Sequence, residues 1–396
     1  MADIDASAFI DQQVEAIKDT LGKDKALVAV SGGVDSTVSA ILTHKAIGDN
    51  LICVFIDDNF MRLGETEQVK TILSGEPIGL PVRTVNEKQK FMSALEGLSD
   101  AEEKRKAFRI TFYETLRSIA EDENCQFLVQ GTIRADVEET QKGIKTQHNV
   151  LEPMGINPVE KFGFNVIEPL KSLYKSQVRS VARYLGVSPL VSERQPFPGP
   201  GLSIRVVGEI TPEKLDELKK ATFIVEQAFE PHNPSQFFAA IFSGEQSRDL
   251  KVLRRETSNI TGIDQRFIKA GILSEKATGI IDSGRVYGSI ITLALEDASD
   301  NILRPEYDDL ELVLDYLRDN YPEATRLIYL VDEKDDEGYT IVMRAVKTKD
   351  FLKAESMRIP WITLTETASK ILESCTNVTR VYYDVTPKPP ATIEYE

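Results

Sequence analysis

The chain has 396 residues, 41% hydrophobic and 28% charged, an ordinary globular balance that is long enough for two domains. Its formal net charge of −16 argues against a large nucleic-acid interface, and no apolar run approaches the length of a membrane span. Cys53, Cys125 and Cys375 form no CxxC pair, so neither a disulfide framework nor a zinc site is indicated. The N-terminus, MADIDASAFIDQQ, is acidic and polar, and the expected location is the cytoplasm.

In chain order, Phe9, Ile10, Val14, Ile17 and Leu21 fall near helical spacing and predict an amphipathic helix over residues 6–21. Ala26-Leu27-Val28-Ala29-Val30 is short and lacks a helical period, so it reads as a buried strand. It runs into Ser31-Gly32-Gly33-Val34-Asp35-Ser36-Thr37, after which the apolar residues return to helical spacing as far as Ile47. Strand, glycine turn and helix together can cradle phosphate. Glycines with φ > 0 let phosphate oxygens reach the amides, and the helix N-terminus points free N–H groups at the same spot. Ser31, Ser36 and Thr37 add hydroxyl donors. A carboxylate here would repel phosphate unless a cation lay between them, which assigns Asp35 to Mg²⁺. No Lys follows the glycines, so the loop is not a Walker A sequence.

The string SGGxDS resembles the pyrophosphate-binding loop of the N-type ATP pyrophosphatases, a superfamily that includes GMP, NAD, asparagine and argininosuccinate synthetases and tRNA-thiolating enzymes. The resemblance implies ATP bound on Ser31, Gly32, Gly33, Val34, Asp35, Ser36 and Thr37 and cleaved between its α- and β-phosphates. Leu51-Ile52-Cys53-Val54-Phe55-Ile56 is a second buried strand, and this order predicts a right-handed βαβ unit in a parallel sheet. Ligands in such sheets sit outside the carboxyl ends of the strands, where the glycine loop and Asp57 lie. The resemblance places adenosine near Asp57, although Asp57 and Asp58 also read as a solvated turn.

A third strand is predicted around residues 81–85, a charged helix over 101–122, a fourth strand at 127–130 and a fifth near 166–170. The run Glu102-Glu103-Lys104-Arg105-Lys106 would ordinarily be a solvated face. It matches the GMP synthetases, as does Phe60-Met61-Arg62, and this resemblance implies that Arg105 meets the nucleotide substrate. Gly131-Thr132-Ile133-Arg134-Ala135-Asp136-Val137-Glu138-Glu139-Thr140, followed by Ile144-Lys145-Thr146-Gln147-His148-Asn149-Val150, resembles that family's lid. The likeness gives Gly131 to the nucleotide, and Asp136, Glu139 and Lys145 to catalysis, the lysine neutralising charge on departing pyrophosphate. Lys175 matches a further catalytic lysine. The family's acids after it have become Ser176 and Gln177, and Ala135, Gln147 and Arg134 also depart from its pattern.

Arg194-Gln195-Pro196-Phe197-Pro198-Gly199-Pro200-Gly201-Leu202-Ser203-Ile204-Arg205 reads as a rigid, exposed connector between domains. It is similar to the GMP synthetase segment under the purine of xanthosine monophosphate, XMP, which implies that Pro198, Gly199, Pro200, Gly201 and Arg205 contact substrate. The ending Lys388-Pro389-Pro390-Ala391-Thr392-Ile393-Glu394-Tyr395-Glu396 likewise resembles the family's XMP-binding tail and gives substrate roles to Lys388, Ile393 and Glu394. Between them, a helix opening at Thr211-Pro212, strands near 276–280, 341–346 and 380–385, and a helix led by Trp361 form an α+β module whose open strand edges suit pairing of two copies. Stretches 243–275 and 298–338 lie outside the pattern and read as folded insertions.

The expected fold is α/β. A parallel-sheet, adenine nucleotide α-hydrolase-like PP-loop domain covers residues 1–195, and an α+β dimerisation and XMP-binding domain covers 196–396. The resemblance implies the synthetase subunit of a two-subunit GMP synthetase that uses ATP, Mg²⁺, XMP and ammonia. With only residues 1–30 before the loop, a separate glutamine amidotransferase subunit is the expected source of that ammonia. The alternatives are an NAD synthetase-like enzyme, which would share SGGxDS but lack PFPGPG, and a nucleotide-binding regulatory relative that lost turnover.

Overall fold

The computed structural model describes residues 4–141, 163–244, 246–282, 284–349 and 352–396. It separates into two compact units, Met1–Ala94 with Lys106–Pro200, and Leu95–Arg105 with Gly201–Glu396. No described helix is long and apolar enough to cross a membrane.

The first unit is built on parallel strands β1 (Ala26–Ala29), β2 (Leu51–Asp57), β3 (Arg83–Asn86), β4 (Phe127–Val129) and β5 (Asn165–Ile167), ordered β3-β2-β1-β4-β5. The chain winds outward from β1 to β3 and then crosses to β4. The carboxyl ends of β1 and β4 therefore flank the topological switch point, where open α/β sheets bind ligands. Helix Val34–Ile47 buries Val34, Thr37, Val38, Ser39, Ala40, Ile41, Leu42 and Thr43, and packs against helices Ala6–Leu21 and Lys175–Tyr184. Its small residues suit a helix covered all round, and Val28, Cys53, Phe55, Leu42 and Val129 share one core. All three cysteines are buried and free, and burial pushes the Cys53 thiol up to about 12.

The second unit carries β6 (Gln236–Phe242), β7 (Gln246–Asp249), β8 (Ile268–Ile281), β9 (Gly284–Leu295), β10 (Ala324–Glu333), β11 (Tyr339–Lys347), β12 (Glu355–Ser356) and β13 (Val378–Asp384). Their order is β12-β11-β13-β10-β9-β8-β7, with β6 antiparallel to β11. Helices Pro212–Phe229 and Trp361–Ser374 pack on this sheet. The expected open edges are absent among the described residues. Both end strands are short, and β6 is bridged by Val206 at Ile241.

The stretch 298–338 is not set apart from this core. It supplies helix Tyr307–Asn320 and β10, which joins β9 to β13 mid-sheet with Leu327 and Ile328 fully buried. Stretch 243–275 supplies β7, helix Lys251–Thr261 and the first half of β8.

Candidate active site

The loop after β1 adopts a form that only part of its sequence announces. Gly32 takes φ +73°, while Gly33 is ordinary extended backbone, so one glycine rather than both supplies the left-handed turn. The Ser36 hydroxyl donates to the Gly33 carbonyl at 3.1 Å, and the Ser31 hydroxyl accepts from Gly33 N–H at 3.3 Å. No side chain caps helix Val34–Ile47, and its first amides are left for a ligand. Thr37 is fully buried, which removes its hydroxyl from the expected set of phosphate donors. Asp35 Oδ2 accepts from Lys175 Nζ at 2.5 Å, and its buried Oδ1 has no hydrogen-bond partner among the described residues.

Gly131, after β4, closes the other side of the switch point. A Cβ there would lie 2.9 Å from both Asp35 C and Ser36 N, backbone atoms that cannot swing away. Gly131→Ala is expected to push the helix N-terminus out of place at a cost of about 1–3 kcal/mol and to weaken ATP binding, read by calorimetric titration of ATP with Mg²⁺. Unaltered affinity would show that the cradle tolerates a shift of its helix.

Other predicted residues have local partners. Asp57 and Asp58 are buried, which overturns the solvated-turn reading: Asp57 pairs with Lys88 Nζ at 3.2 Å, and Asp58 Oδ1 accepts from Phe60 N at 2.8 Å. Asp136 Oδ2 accepts from Ile133 N at 2.8 Å and caps the helix start. Arg134 pairs with Glu138, which also accepts from the Tyr174 hydroxyl. Gln177 Oε1 accepts from Tyr174 N at 3.0 Å, so the amide performs a capping task open to a carboxylate, and Ser176 is exposed. Lys145, Gln147, His148 and Asn149 lie outside the described residues, as does the side chain of Glu139.

The proline-glycine segment is more enclosed than an exposed connector. Pro198 is buried, Gly199 exposed, and Gly201 through Val207 are buried, with a 3-10 turn over Gly201–Ile204. Within the first unit, Glu65 is 2% exposed and accepts Arg194 Nη1 at 2.6 Å and Arg62 N at 2.8 Å, while the Arg62 guanidinium stacks 4.1 Å from the Phe197 ring centre. A buried carboxylate thus ties the Phe60-Met61-Arg62 turn to the segment that begins at Arg194.

In the second unit the C-terminal segment is held from beneath by buried arginines. Arg344 donates to the carbonyls of Thr386, Thr392 and Ile393 at 3.1, 3.0 and 3.0 Å, and Arg326 donates to those of Thr392 and Glu394 at 3.0 and 2.5 Å. Asp384 neutralises both, its Oδ2 lying 2.8 Å from Arg326 and 2.6 Å from Arg344 and accepting the Tyr395 hydroxyl at 2.7 Å. Burial works to raise the Asp384 carboxyl, but Arg344 and Arg326 hold it below its ordinary range. Arg205, expected to meet phosphate, is 1% exposed and makes two 2.9 Å bonds to Glu394, with its guanidinium 4.1 Å from the Phe238 ring centre. Its role is corrected accordingly: Arg205 orients Glu394, and Gln236 adds a bond to the same carboxylate at 2.8 Å. Ile393 is 8% exposed and Lys388 half-buried. Arg105 donates to the main-chain oxygen of Glu396, and burial, then Arg285, lowers its pKa.

Comparison with known proteins places this geometry. The family model described as GMP synthase C terminal domain matches residues 323–395, and that described as NAD synthase matches residues 5–132. The synthetase subunit of the glutamine-hydrolyzing GMP synthase from Sulfurisphaera tokodaii is 43% identical over 393 residues, covering 99% of each chain. The chain belongs to the family of GMP synthase synthetase subunits. The corresponding subunit from Methanopyrus kandleri is 37% identical over 392 residues, 99% of each chain. The solved NMN synthetase from Francisella tularensis is 17% identical, with a TM-score of 0.40, over 51% of this chain and 79% of that one, too low a score to bear on function. Against synthetase-subunit relatives of matching length, stretches 243–275 and 298–338 are not additions, and the C-terminal family match opens within the second.

As a member of this family the chain also shows what its charge pattern concealed. Lys104, read as part of a solvated face, is fully buried and paired with Glu396, itself 3% exposed. Its neighbours Glu102, Glu103 and Lys106 do face outward. Nothing in the sequence separates one lysine of that run from the others.

Proposed function

We propose that this chain is the ATP-dependent synthetase subunit that makes GMP from XMP, with ammonia from a separate glutamine amidotransferase subunit. The full-length likeness to GMP synthase synthetase subunits carries this reading. The NAD synthase match favours a second reading, amidation of a nicotinate dinucleotide, but it ends at residue 132 and leaves the second unit unexplained. The regulatory alternative loses its main motive, because Gln177 makes a bond a carboxylate would also make.

ATP would lie on residues 31–37, its phosphates facing the uncapped amides. Mg²⁺ suits Asp35, whose buried Oδ1 has no partner among the described residues; bound there with phosphate oxygens, it would supply charge neutralisation. Lys175 holds the other carboxylate oxygen and so fixes Asp35. In the reaction the C2 oxygen of XMP attacks the α-phosphate and the bond to the β-phosphate breaks. Ammonia then adds at C2, AMP leaves, and a proton is lost, yielding GMP. Glu394, aimed by Arg205, would recognise the purine or sugar, Lys388 the phosphate, and Lys145 the departing pyrophosphate. Most of the rate gain is positioning and charge stabilisation. A cytoplasmic homodimer formed through the second unit completes the proposal.

The test is release of AMP and pyrophosphate from the purified chain with ATP, Mg²⁺ and ammonium, comparing XMP with nicotinate adenine dinucleotide. XMP-dependent release with GMP formed in equal amount is expected. Turnover with the dinucleotide instead would transfer the assignment to the second reading.

A further inference from the structure

Lys104 has used all its donors. Its ammonium bonds the carbonyl of Val206 at 2.8 Å and that of Gly208 at 2.9 Å and pairs with Glu396. Glu396 Oε1 in turn accepts from Gly208 N–H at 3.0 Å. Lys214 secures the same turn, its ammonium 2.9 Å from the Val207 carbonyl. One lysine therefore grips two strips of chain. The first begins next to Arg205; the second ends two positions beyond Glu394. Between these grips lies the Arg205–Glu394 pair, whose oxygens and guanidinium nitrogens meet at 2.9 Å.

Such a clasp is poorly explained as a stability device. Burial pushes the Glu396 carboxyl up to about 7 and the Lys104 ammonium down, so the pair stands against its own desolvation. Apolar residues in place of a buried ion pair often hold a fold as well or better. What the charged pair adds is a defined position for both strips.

We propose that Lys104 is a positioning residue for the purine nucleotide: gripping Glu396 and the 206–208 turn, it sets the Arg205–Glu394 pair to receive the substrate without touching it. The inference rests on the reading above, in which Glu394 contacts XMP.

The test uses the full chain with ammonium as nitrogen donor and two variants, Lys104→Met and the double variant Lys104→Met with Glu396→Gln. The double variant removes both charges while keeping an acceptor for Gly208 N–H, so it is not left with an unpaired buried carboxylate. KM for XMP is expected to rise about tenfold or more in both, the size of a lost charged hydrogen bond, with kcat and KM for ATP within about twofold. The double variant should keep the parental emission of Trp361, the only tryptophan. An unchanged KM for XMP in an active, folded double variant overturns the proposal, as does a parallel rise in KM for ATP. Failure of the double variant to fold makes the pair structural and overturns it as well. A parent inactive with XMP overturns the functional reading itself.

Discussion

Asp35→Asn is expected to lower XMP-dependent AMP formation about a hundred- to a thousandfold, the range seen when one preorganised electrostatic group is taken from an active site. The change is nearly isosteric and leaves the loop's own bonds, Ser36 to Gly33 and Gly33 to Ser31, in place. Stability should move by less than about 1 kcal/mol, because the Asp35–Lys175 pair is partly exposed, at 27% and 44% of the two side chains. The informative result is therefore a large fall in turnover in a protein whose thermal unfolding, followed by circular dichroism, matches the parent. Lys175→Met should follow it in direction, since the lysine holds the carboxylate that the chemistry uses. If Asp35→Asn kept activity within tenfold, Asp35 would leave the reaction and the cation assignment would go with it.

Asp384→Ala is expected to be the most destabilising single change, at about 3–5 kcal/mol, because two fully buried guanidinium groups would lose their shared counter-charge. It would also orphan the Tyr395 hydroxyl and the Thr386 amide, which donate to the same carboxylate at 2.7 and 2.9 Å. Trp361 lies in the second unit, so its fluorescence in a urea titration follows that unit alone. The midpoint should fall sharply, and at urea concentrations below the transition the C-terminal segment should be more open to carboxypeptidase. A loss under about 1 kcal/mol would mean that main-chain carbonyls suffice to neutralise both arginines. Acid should not mimic the mutation until well below the ordinary carboxylate range. Arg344 and Arg326 hold the Asp384 pKa low, so the native state contributes stability above the unfolded value that is lost only as pH falls through the lower folded one.

The first unit was largely legible in the chain because its signals are local. Strand, glycine turn and helix follow one another within residues 26–47, and the structure has β1 at Ala26–Ala29 and the helix at Val34–Ile47. Even there, two details depended on neighbours distant in sequence: the need for glycine at 131, set by the backbone of Asp35 and Ser36, and the burial of Thr37. The buried Asp57 and Asp58 went the same way, since a carboxylate pair at a strand end looks identical whether water or Lys88 and Phe60 N–H answers it.

The second unit was harder to read for a physical reason. Its sheet joins strands far apart in the chain, β6 with β11 and β10 with both β9 and β13, and no periodicity within a segment encodes its partner. An acidic stretch such as 298–338 therefore looked like an insert although it carries a central strand. By itself the sequence determined that this chain binds a nucleotide phosphate on a strand–glycine–helix unit and that its tail carries functional groups, because those properties rest on residue type at fixed spacing. Only the tertiary structure decided how the charges pair. It set Arg205 against Glu394, Lys104 against Glu396, and Asp384 between Arg326 and Arg344. A charge is written in the sequence, but its partner and its burial are fixed by which distant segments the fold brings together.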